Sequence, residues 1–398
     1  MVVTQKNLIL LTAFVDILGL GIIIPILPFY AQQFGASAFV ITLLFTAFSL
    51  CSFISAPFLG AWSDRIGRRP VLLLSIASTA VGWLVFAAAT SLPLLFIGRI
   101  IDGLAAGNFP ITQSYLADIA KDDKERTHNL GLIGAIFGIG LTIGPMIGGL
   151  LSALGPSVPF WFVGGLAVVN FLLALKFLPE SHHTRSTEKL SINPLRPIIS
   201  ALSDKLLLPG FIAIFLFGLA VTTQQSIFAL FLNSAFSFNA VITGWFLTAV
   251  GIILAINQGV LLRRFWLKRF KEPTLEVIMF IALAIGFLLM SVEILWVFII
   301  GLVFLTFSQS ILRVVLSSQL VALRPTRRGE VLGTMASVMS VSMVIAPIAA
   351  GLLFERHPAG PFFAASMVSI LALLVIFYFR QRFTAANLPD DVEPVEVV

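Results

Sequence analysis

Residues 129–151 read NLGLIGAIFGIGLTIGPMIGGLL, and residues 331–353 read VLGTMASVMSVSMVIAPIAAGLL. Gly131, Pro145 and Gly149 of the first stretch fall on Gly333, Pro347 and Gly351 of the second, at a constant offset of 202. The same offset carries Thr46-Ala47 onto Thr248-Ala249. Both stretches are apolar and long enough to cross a bilayer core, which takes about 20 residues of helix. Working outward, twelve stretches of that size appear, at about 6–30, 38–62, 70–90, 92–118, 129–154, 158–179, 207–232, 240–262, 274–292, 294–323, 329–354 and 359–380. Six spans therefore repeat as six, and because six is even both copies share one membrane orientation. The expected fold is an all-α integral membrane protein of twelve transmembrane helices. Its two parallel six-helix repeats would surround a central cavity, one of the architectures for alternating access.

Composition supports the membrane and excludes the alternatives. Of the 398 residues, 58% are hydrophobic and 11% charged, against roughly 45–50% and 25% in soluble proteins. So few charges cannot clothe a water-exposed globule, and so apolar a chain cannot stay disordered. The single Cys51 excludes a disulfide framework and a multi-thiolate metal site. His128, His182, His183 and His357 all fall in or beside polar stretches, leaving no imidazole cluster, so neither metal nor cofactor is expected. The first stretch is too long for a signal peptide, carries Asp16 at its centre and lacks a small-residue cleavage site. It reads as a retained helix.

The loops assign orientation. Basic residues follow every even-numbered span, as Arg65, Arg68 and Arg69; Lys121, Lys124 and Arg126; Arg185, Lys189, Arg196 and Lys205; Arg263 to Lys271; and Arg324, Arg327 and Arg328. The opposite loops hold only Arg356, while Arg99 and Arg313 lie inside spans. Loop Lys and Arg stay cytoplasmic, so both termini are expected inside. The basic excess is thus topology, and nucleic acid is not an expected partner. The expected domains are a six-helix bundle at 1–179, a cytoplasmic linker at 180–206, a second bundle at 207–383 and an acidic cytoplasmic tail at 384–398.

Four motifs carry a resemblance. Residues 60–71, GAWSDRIGRRPV, resemble the signature loop of the major facilitator superfamily. The fourth span holds Arg99-Ile-Ile-Asp102-Gly103, similar to that family's Arg-and-Gly pattern there. The fifth carries Gly138-Ile-Gly140 and Gly144-Pro145-Met-Ile-Gly148-Gly149, which looks like the motif of the proton-coupled antiporter branch. The first reads Asp16-Ile-Leu-Gly19-Leu-Gly21, then Pro25-Ile-Leu-Pro28, as in tetracycline-type and drug:proton antiporters. The resemblance implies a proton-coupled exporter of a small, drug-like organic molecule, monomeric, in a bacterial-type inner membrane. It also implies that Asp64, Arg68 and Asp118 form a charge relay latching one conformation. The motifs sit almost entirely in the first half. In the second, Gly259 to Arg269 is basic without an Asp, and Ala346-Pro347 replaces Gly-Pro. The family's gating logic carries over only to the first half.

Each motif also reads physically. Gly60 and Gly67, lacking a Cβ, allow a tight turn and close helix approach. Asp64 can face the surrounding positive groups, while Arg65, Arg68 and Arg69 hold the loop at the membrane boundary. A simpler reading is a well-made turn with topogenic charge. In the fifth span, glycines at 131, 134, 138, 140, 144, 148 and 149 permit backbone-to-backbone packing, and Pro145 removes one donor and bends the helix. That bend either serves packing alone or also helps exclude leak during exchange.

Ionisable residues at membrane depth point hardest to function. Asp16, Arg99, Asp102 and Arg313 each cost about 2.5–3.5 kcal/mol at a helix centre, so they should face a cavity or one another. Arg99 and Asp102, three apart, share a face and could be a structural ion pair. Gln113 falls within about 40° of Arg99 on a continuous helical wheel. Asp16 lies roughly 15 Å into its span and has no basic neighbour on its own helix. Low dielectric disfavours a charged carboxyl, the property a proton carrier needs; hydrogen bonding to a neighbouring helix is the plainer alternative. Arg313 has no acidic residue on its helix, and could pair with a first-half carboxylate or hold an anionic substrate group. Asn108, Gln113, Gln224, Gln225, Asn257, Gln258 and Gln309 are polar in apolar surroundings, as cavity lining or helix–helix glue.

These residues exclude other classes. A membrane enzyme would need a buried His, paired Cys or carboxylate cluster, and a sensor would need a sizeable output domain. No phosphate-binding loop is present, so an ion gradient must supply the energy. Small-molecule substrate, protons and lipid are the expected partners. The second expectation is a proton-linked transporter of an anionic metabolite such as a polycarboxylate, with Arg99 and Arg313 as the clamp. Asp16 and Asp102 offset these two arginines, so charge counting favours neither.

Overall fold

The computed structural model describes residues 5–104, 106–181 and 195–382. His182, His183, Arg185, Lys189 and the tail at 384–398 lie outside the described residues, as does most of the linker. Among the described residues all regular structure is helical, and twelve helical segments are long and apolar enough to cross a membrane. The first half comprises α1 (Gln5–Gln32), α2 (Ala38–Ile66), α3 (Arg68–Ala87), α4 (Leu92–Leu104), α5 (Asn108–Asp118), α6 (Asp123–Ser152) and α7 (Val158–Phe177). Then come α8 (Arg196–Ser203), α9 (Leu208–Phe236) and α10 (Ala240–Ile256), a π-helical segment (Asn257–Trp266) and α11 (Leu267–Arg269). The rest is α12 (Glu272–Met290), α13 (Leu295–Ala322), a 3₁₀ turn (Pro325–Arg327), α14 (Arg328–Arg356) and α15 (Gly360–Arg382).

Three segments depart from the plain spans read from the sequence. The fourth span is interrupted between α4 and α5. Pro110, in the first turn of α5, has no N–H for the carbonyl one turn back, so continuous helix is disfavoured there. The wheel that set Gln113 over Arg99 assumed an unbroken helix and does not carry across. The eighth span loosens into π-helix at Asn257, a form found mostly as short bulges. The linker holds the short α8, with Pro197 in its first turn. Leu195, Ile199 and Leu202 point outward from it.

The chain packs as two compact units: Met1–Pro194 with Phe228–Gly251, and Leu195–Ile227 with Ile252–Val398. In lipid, apolar faces gain little from one another, so small residues and polar bonds decide helix contacts. Both units use the same device at one crossing. A Cβ on Gly82 of α3 would meet the Gly98 carbonyl of α4 at 3.0 Å, and one on Gly98 the Gly82 carbonyl at 2.9 Å. Gly286 of α12 and Gly301 of α13 repeat this, at 2.9 and 2.6 Å. In the first unit, Tyr30, Trp83, Phe86 and Phe160 stack at one end, with the Tyr30 hydroxyl donating to the Phe86 and Ala87 carbonyls. Leu8, Ile9, Val71, Ile111, Tyr115 and Leu178 fill the other, basic end. Between these two plugs lie the buried charges.

Candidate functional site

Asp16 sits midway along α1 and is half-buried. Its Oδ1 accepts a hydrogen bond of 3.0 Å from Nδ2 of Asn108, the first residue of α5. The same Nδ2 donates to the Thr79 hydroxyl of α3 at 3.2 Å, and Thr79 in turn interacts with the Asp102 carboxyl of α4. Asp102 pairs with Arg99 at 3.4 Å. The Arg99 guanidinium lies 4.2 Å from the centre of the Phe48 ring, a cation–π contact, and its Nε donates to the Leu44 carbonyl at 3.5 Å. Polar groups from α1, α5, α3 and α4 thus form one line, with α2 closing its far end. Asn108 is buried, and its Oδ1 has no hydrogen-bond partner among the described residues. An amide whose acceptor stays unmatched in apolar surroundings carries a real cost. The break at Pro110 puts Asn108 at a helix start, where the amide reaches two neighbouring helices. Arg99 and Asp102 neutralise each other on one face, as their spacing suggested, whereas Asp16 is held only by an amide.

At the basic end of the same unit, Arg68 is the hub. Its side chain forms an ion pair with Asp64 one turn back and another with Asp118 of α5 at 3.1 Å, and donates to the Ser63 hydroxyl at 2.6 Å. The three residues of the expected relay are therefore in contact. The turn that allows this is Gly67, whose φ of +110° suits a residue without a Cβ. Gly60 plays no such part: it lies inside α2 with nothing within 4 Å of a built Cβ, so the close approach expected there is absent. Arg65 is half-buried on the last turn of α2, and Arg69 reaches the Leu175 carbonyl of α7 at 2.9 Å. Sequence reasoning missed Glu180. Its carboxylate accepts from the backbone N–H groups of Arg68 (2.8 Å) and Arg69 (3.2 Å). It thereby caps the start of α3, where free N–H groups favour an anion. Pro179 just before it marks the end of a helix, a signal for a stop but not for a cap.

The glycines of α6 divide by position. A Cβ on Gly140 would meet Ile17 at 2.8 Å, on Gly144 the Gly21 backbone at 2.9 Å, and on Gly148 Ile26 at 2.7 Å. These three and Gly21 bring α6 against α1 along Ile17 to Ile26, starting one residue after Asp16. Gly149 faces the opposite way, toward the backbone of Ala240 and Val241 in α10 at 3.1–3.2 Å. The carbonyl of Pro145 crowds Gly244, and Thr142 crowds Gly251. The helix is thus clasped on two sides around its proline. Gly131, Gly134 and Gly138 have open space instead, so the expected tight packing holds only from Gly140 onward.

The remaining polar residues do not form one set. Gln113 is half-buried on α5; Gln224 is buried on α9, with Gln225 half-buried beside it, and Gln309 is buried on α13. Asn257 is fully buried, donates to the Ser310 hydroxyl of α13 and accepts from Trp266 Nε1 at 2.9 Å. Its amide is engaged in holding helices together. Gln258, next to it, is exposed. Arg313 of α13 lines a cavity of ≈ 610 Å³ and has no ion pair among the described residues.

Comparison with known proteins gives the family. A family model described as Major Facilitator Superfamily matches residues 9–322. The tetracycline resistance protein, class E, of Escherichia coli is 33% identical over a stretch spanning 63% of this chain and 63% of that protein. The class H tetracycline resistance protein of Pasteurella multocida is 28% identical over 95% of this chain and 96% of its own length. The crystal structure of the human organic anion transporter MFSD10 superposes with a TM-score of 0.70 at 23% identity, covering 93% of this chain and 98% of that one. At that identity the likeness speaks for the fold alone.

Proposed function

The chain belongs to the Major Facilitator Superfamily, as a multi-pass transport protein of the bacterial inner membrane type, and we propose that it exports a small drug-like molecule in exchange for protons. The observation that carries this reading is the contrast between its two buried carboxyls. Asp102 has Arg99 at 3.4 Å to hold its charge, whereas Asp16 has the amide of Asn108. A carboxyl at membrane depth with one neutral donor has no cation beside it to offset a charge, whereas one beside a guanidinium does. Asp16 is therefore the proton carrier, and Asp102 with Arg99 the fixed pair against which its charge is felt. The tetracycline resistance names of its relatives support a drug-like cargo.

Coupling follows from what the carboxyl touches. Asp16 lies on α1 just before Gly19 and Gly21, and the glycine seam against α6 runs alongside. Protonation removes a buried charge and lets Asn108 release Asp16. A conformation that desolvates the carboxyl more strongly then becomes favoured, which is how a proton biases a two-state transporter. In this reading the basic ends face the cytoplasm, both termini lie inside, and the protein works as a monomer. Asp64, Arg68 and Asp118, positioned by Glu180, latch one of the two states. Of the polar residues in apolar surroundings, Gln113 in the first unit and Gln224, Gln225 and Gln309 in the second are the candidates for substrate contact; Asn257 is engaged and Gln258 exposed.

The test is exchange itself. Inverted membrane vesicles carrying the protein are acidified inside, and a panel of tetracycline-like and quinolone-like compounds is added. A transported compound should accelerate proton loss from the lumen, at a rate that saturates with its concentration. If compounds accumulate without any proton flux, the coupling assignment fails while export stands.

A second reading, transport of an anionic metabolite, draws on Arg313, which lacks a carboxylate partner among the described residues. Arg99 supports it less, because Asp102 and Phe48 already engage its guanidinium.

A further inference from the structure

The cavity on the second unit is bounded by Arg313, Val314, Ser317, Ser318, Val321 and Ala322 of α13 and by Arg328 at the start of α14. Its lining is unusual in charge. Arg313 and Arg328 both face it, and neither has an ion pair among the described residues. Of the carboxylates on neighbouring elements, Glu330 pairs with Arg327 at 3.9 Å and Asp204 with Arg324 at 3.3 Å, while Glu272 accepts from the lining Ser318 at 3.0 Å and so stands beside the groove without pairing with either arginine. Ser317 donates to the Arg313 carbonyl, one turn back. Positions 313, 317 and 321 succeed one another by single turns, so the groove runs about 12 Å along α13 at 1.5 Å per residue. Its wall of Val314, Val321 and Ala322 is apolar, with the exposed Arg313 inside α13 and the exposed Arg328 at the start of α14.

We infer that this groove is a binding subsite for an amphiphilic organic anion, whose oxyanion is held by Arg313 and whose apolar body lies along Val314, Val321 and Ala322. Neither guanidinium has a carboxylate partner among the described residues, so an anion in the groove meets two positive groups. A planar guanidinium holds a carboxylate through two parallel bonds, so carboxylate and related oxyanions suit it better than a point-charge match would. The cavity volume of ≈ 610 Å³ falls within the range of small-molecule sites, roughly 300–1,000 Å³. Arg328 draws the anion in at the mouth, and Arg313 receives it. The inference deepens the transporter reading by naming a substrate chemistry, and rests on that reading only for the subsite's use. Anionic phospholipid and soluble organic anions share this chemistry.

Equilibrium binding without any pH gradient tests it, so that a failure of proton coupling cannot be mistaken for a failure of the subsite. The purified full chain in phosphatidylcholine nanodiscs is titrated with 1-pyrenebutyrate and, separately, with 1-pyrenebutanol, which has the same apolar body and no charge. The carboxylate should bind at least ~10-fold tighter, Arg313→Gln should abolish that preference, and Arg328→Gln should reduce it several-fold. Arg313→Lys keeps the charge but should lose most of the preference, and separates geometry from folding damage. Repeating the titration in phosphatidylglycerol nanodiscs distinguishes the sources. A loss of affinity larger in the wild type than in Arg313→Gln assigns the groove to lipid headgroups, and an equal loss in both assigns it to soluble anions. Equal binding of the acid and the alcohol, or a preference untouched by both Gln variants, overturns the inference.

Discussion

The end of α2 and its counterpart 202 residues later start from the same repeat and reach opposite solutions. In the first half, Asp64 pairs with Arg68 one turn on, and the pair extends to Asp118. At the equivalent positions stand Trp266 and Phe270, whose rings lie 6.1 Å apart. Ser55 of α2 donates to the Gly103 carbonyl at 2.9 Å; its equivalent, Asn257, donates to Ser310 and receives the Trp266 indole. One copy is a continuous α-helix ending in a charged turn, the other a π-helical segment pegged by aromatic rings. Charges at a membrane boundary exchange partners with water and neighbouring helices cheaply, whereas a buried ring must repack. The first half thus ends this helix in an exchangeable kind of contact, ionic, and the second in a packed one, aromatic.

That comparison breaks most readily at Asp64. Asp64→Asn should lower transport at least ~10-fold with insertion intact, because Arg68 loses one of its two carboxylates while the helices are untouched. Transport near the wild-type rate, measured as substrate accumulation in inverted vesicles, would remove the latch from the account. Glu180→Gln should have the next largest effect, a several-fold loss. The amide can still accept from one backbone N–H but cannot match both, and hydrogen bonds to charged groups contribute about 1.5–3 kcal/mol. An unchanged rate would limit Glu180 to closing α3. Trp266→Phe should act on stability instead. It leaves the buried Asn257 Oδ1 without its donor, at a cost of about 1–3 kcal/mol, visible as a lowered apparent melting temperature in detergent, with transport within ~2-fold. A larger loss of transport than of stability would make the second half a moving part. Arg264→Gln, on the exposed face of the π segment, should change neither.

Much of this was legible in the sequence. The spans follow from apolar length, and the repeat from the glycines and prolines that recur with it. The relay residues follow from a motif whose members are close in space because Gly67 turns the chain back at once. The pairing of Arg99 with Asp102 follows from their spacing on one helix. What was not legible depends on contacts between helices. Asn108 is recognisable as a polar residue in an apolar span, but nothing in its neighbours says that it reaches Asp16. Glu180 reads as the start of a linker, since only packing brings it to α3. The interruption before α5 had a signal in Pro110 that hydropathy outweighed. The π segment had none, because Asn257 and Trp266 are nine residues apart and ordinary helix would accept both. Among the glycines of α6, sequence cannot tell Gly140, where an added Cβ would strike α1, from Gly138, where it would meet open space.

The central claim is that Asp16 couples the proton to transport, and Asp16→Asn tests it most directly. Asparagine keeps the size of the side chain and can still accept from Asn108, but it cannot carry a proton. Inverted vesicles with wild type or variant are compared with and without an imposed pH gradient, following accumulation of a compound that the wild type transports. The account predicts that the variant binds the compound and equilibrates it across the membrane, yet shows no accumulation above the external concentration when the gradient is applied. Gradient-driven accumulation by Asp16→Asn at the wild-type level would contradict it, and would move the coupling role to Asp102 and Arg99.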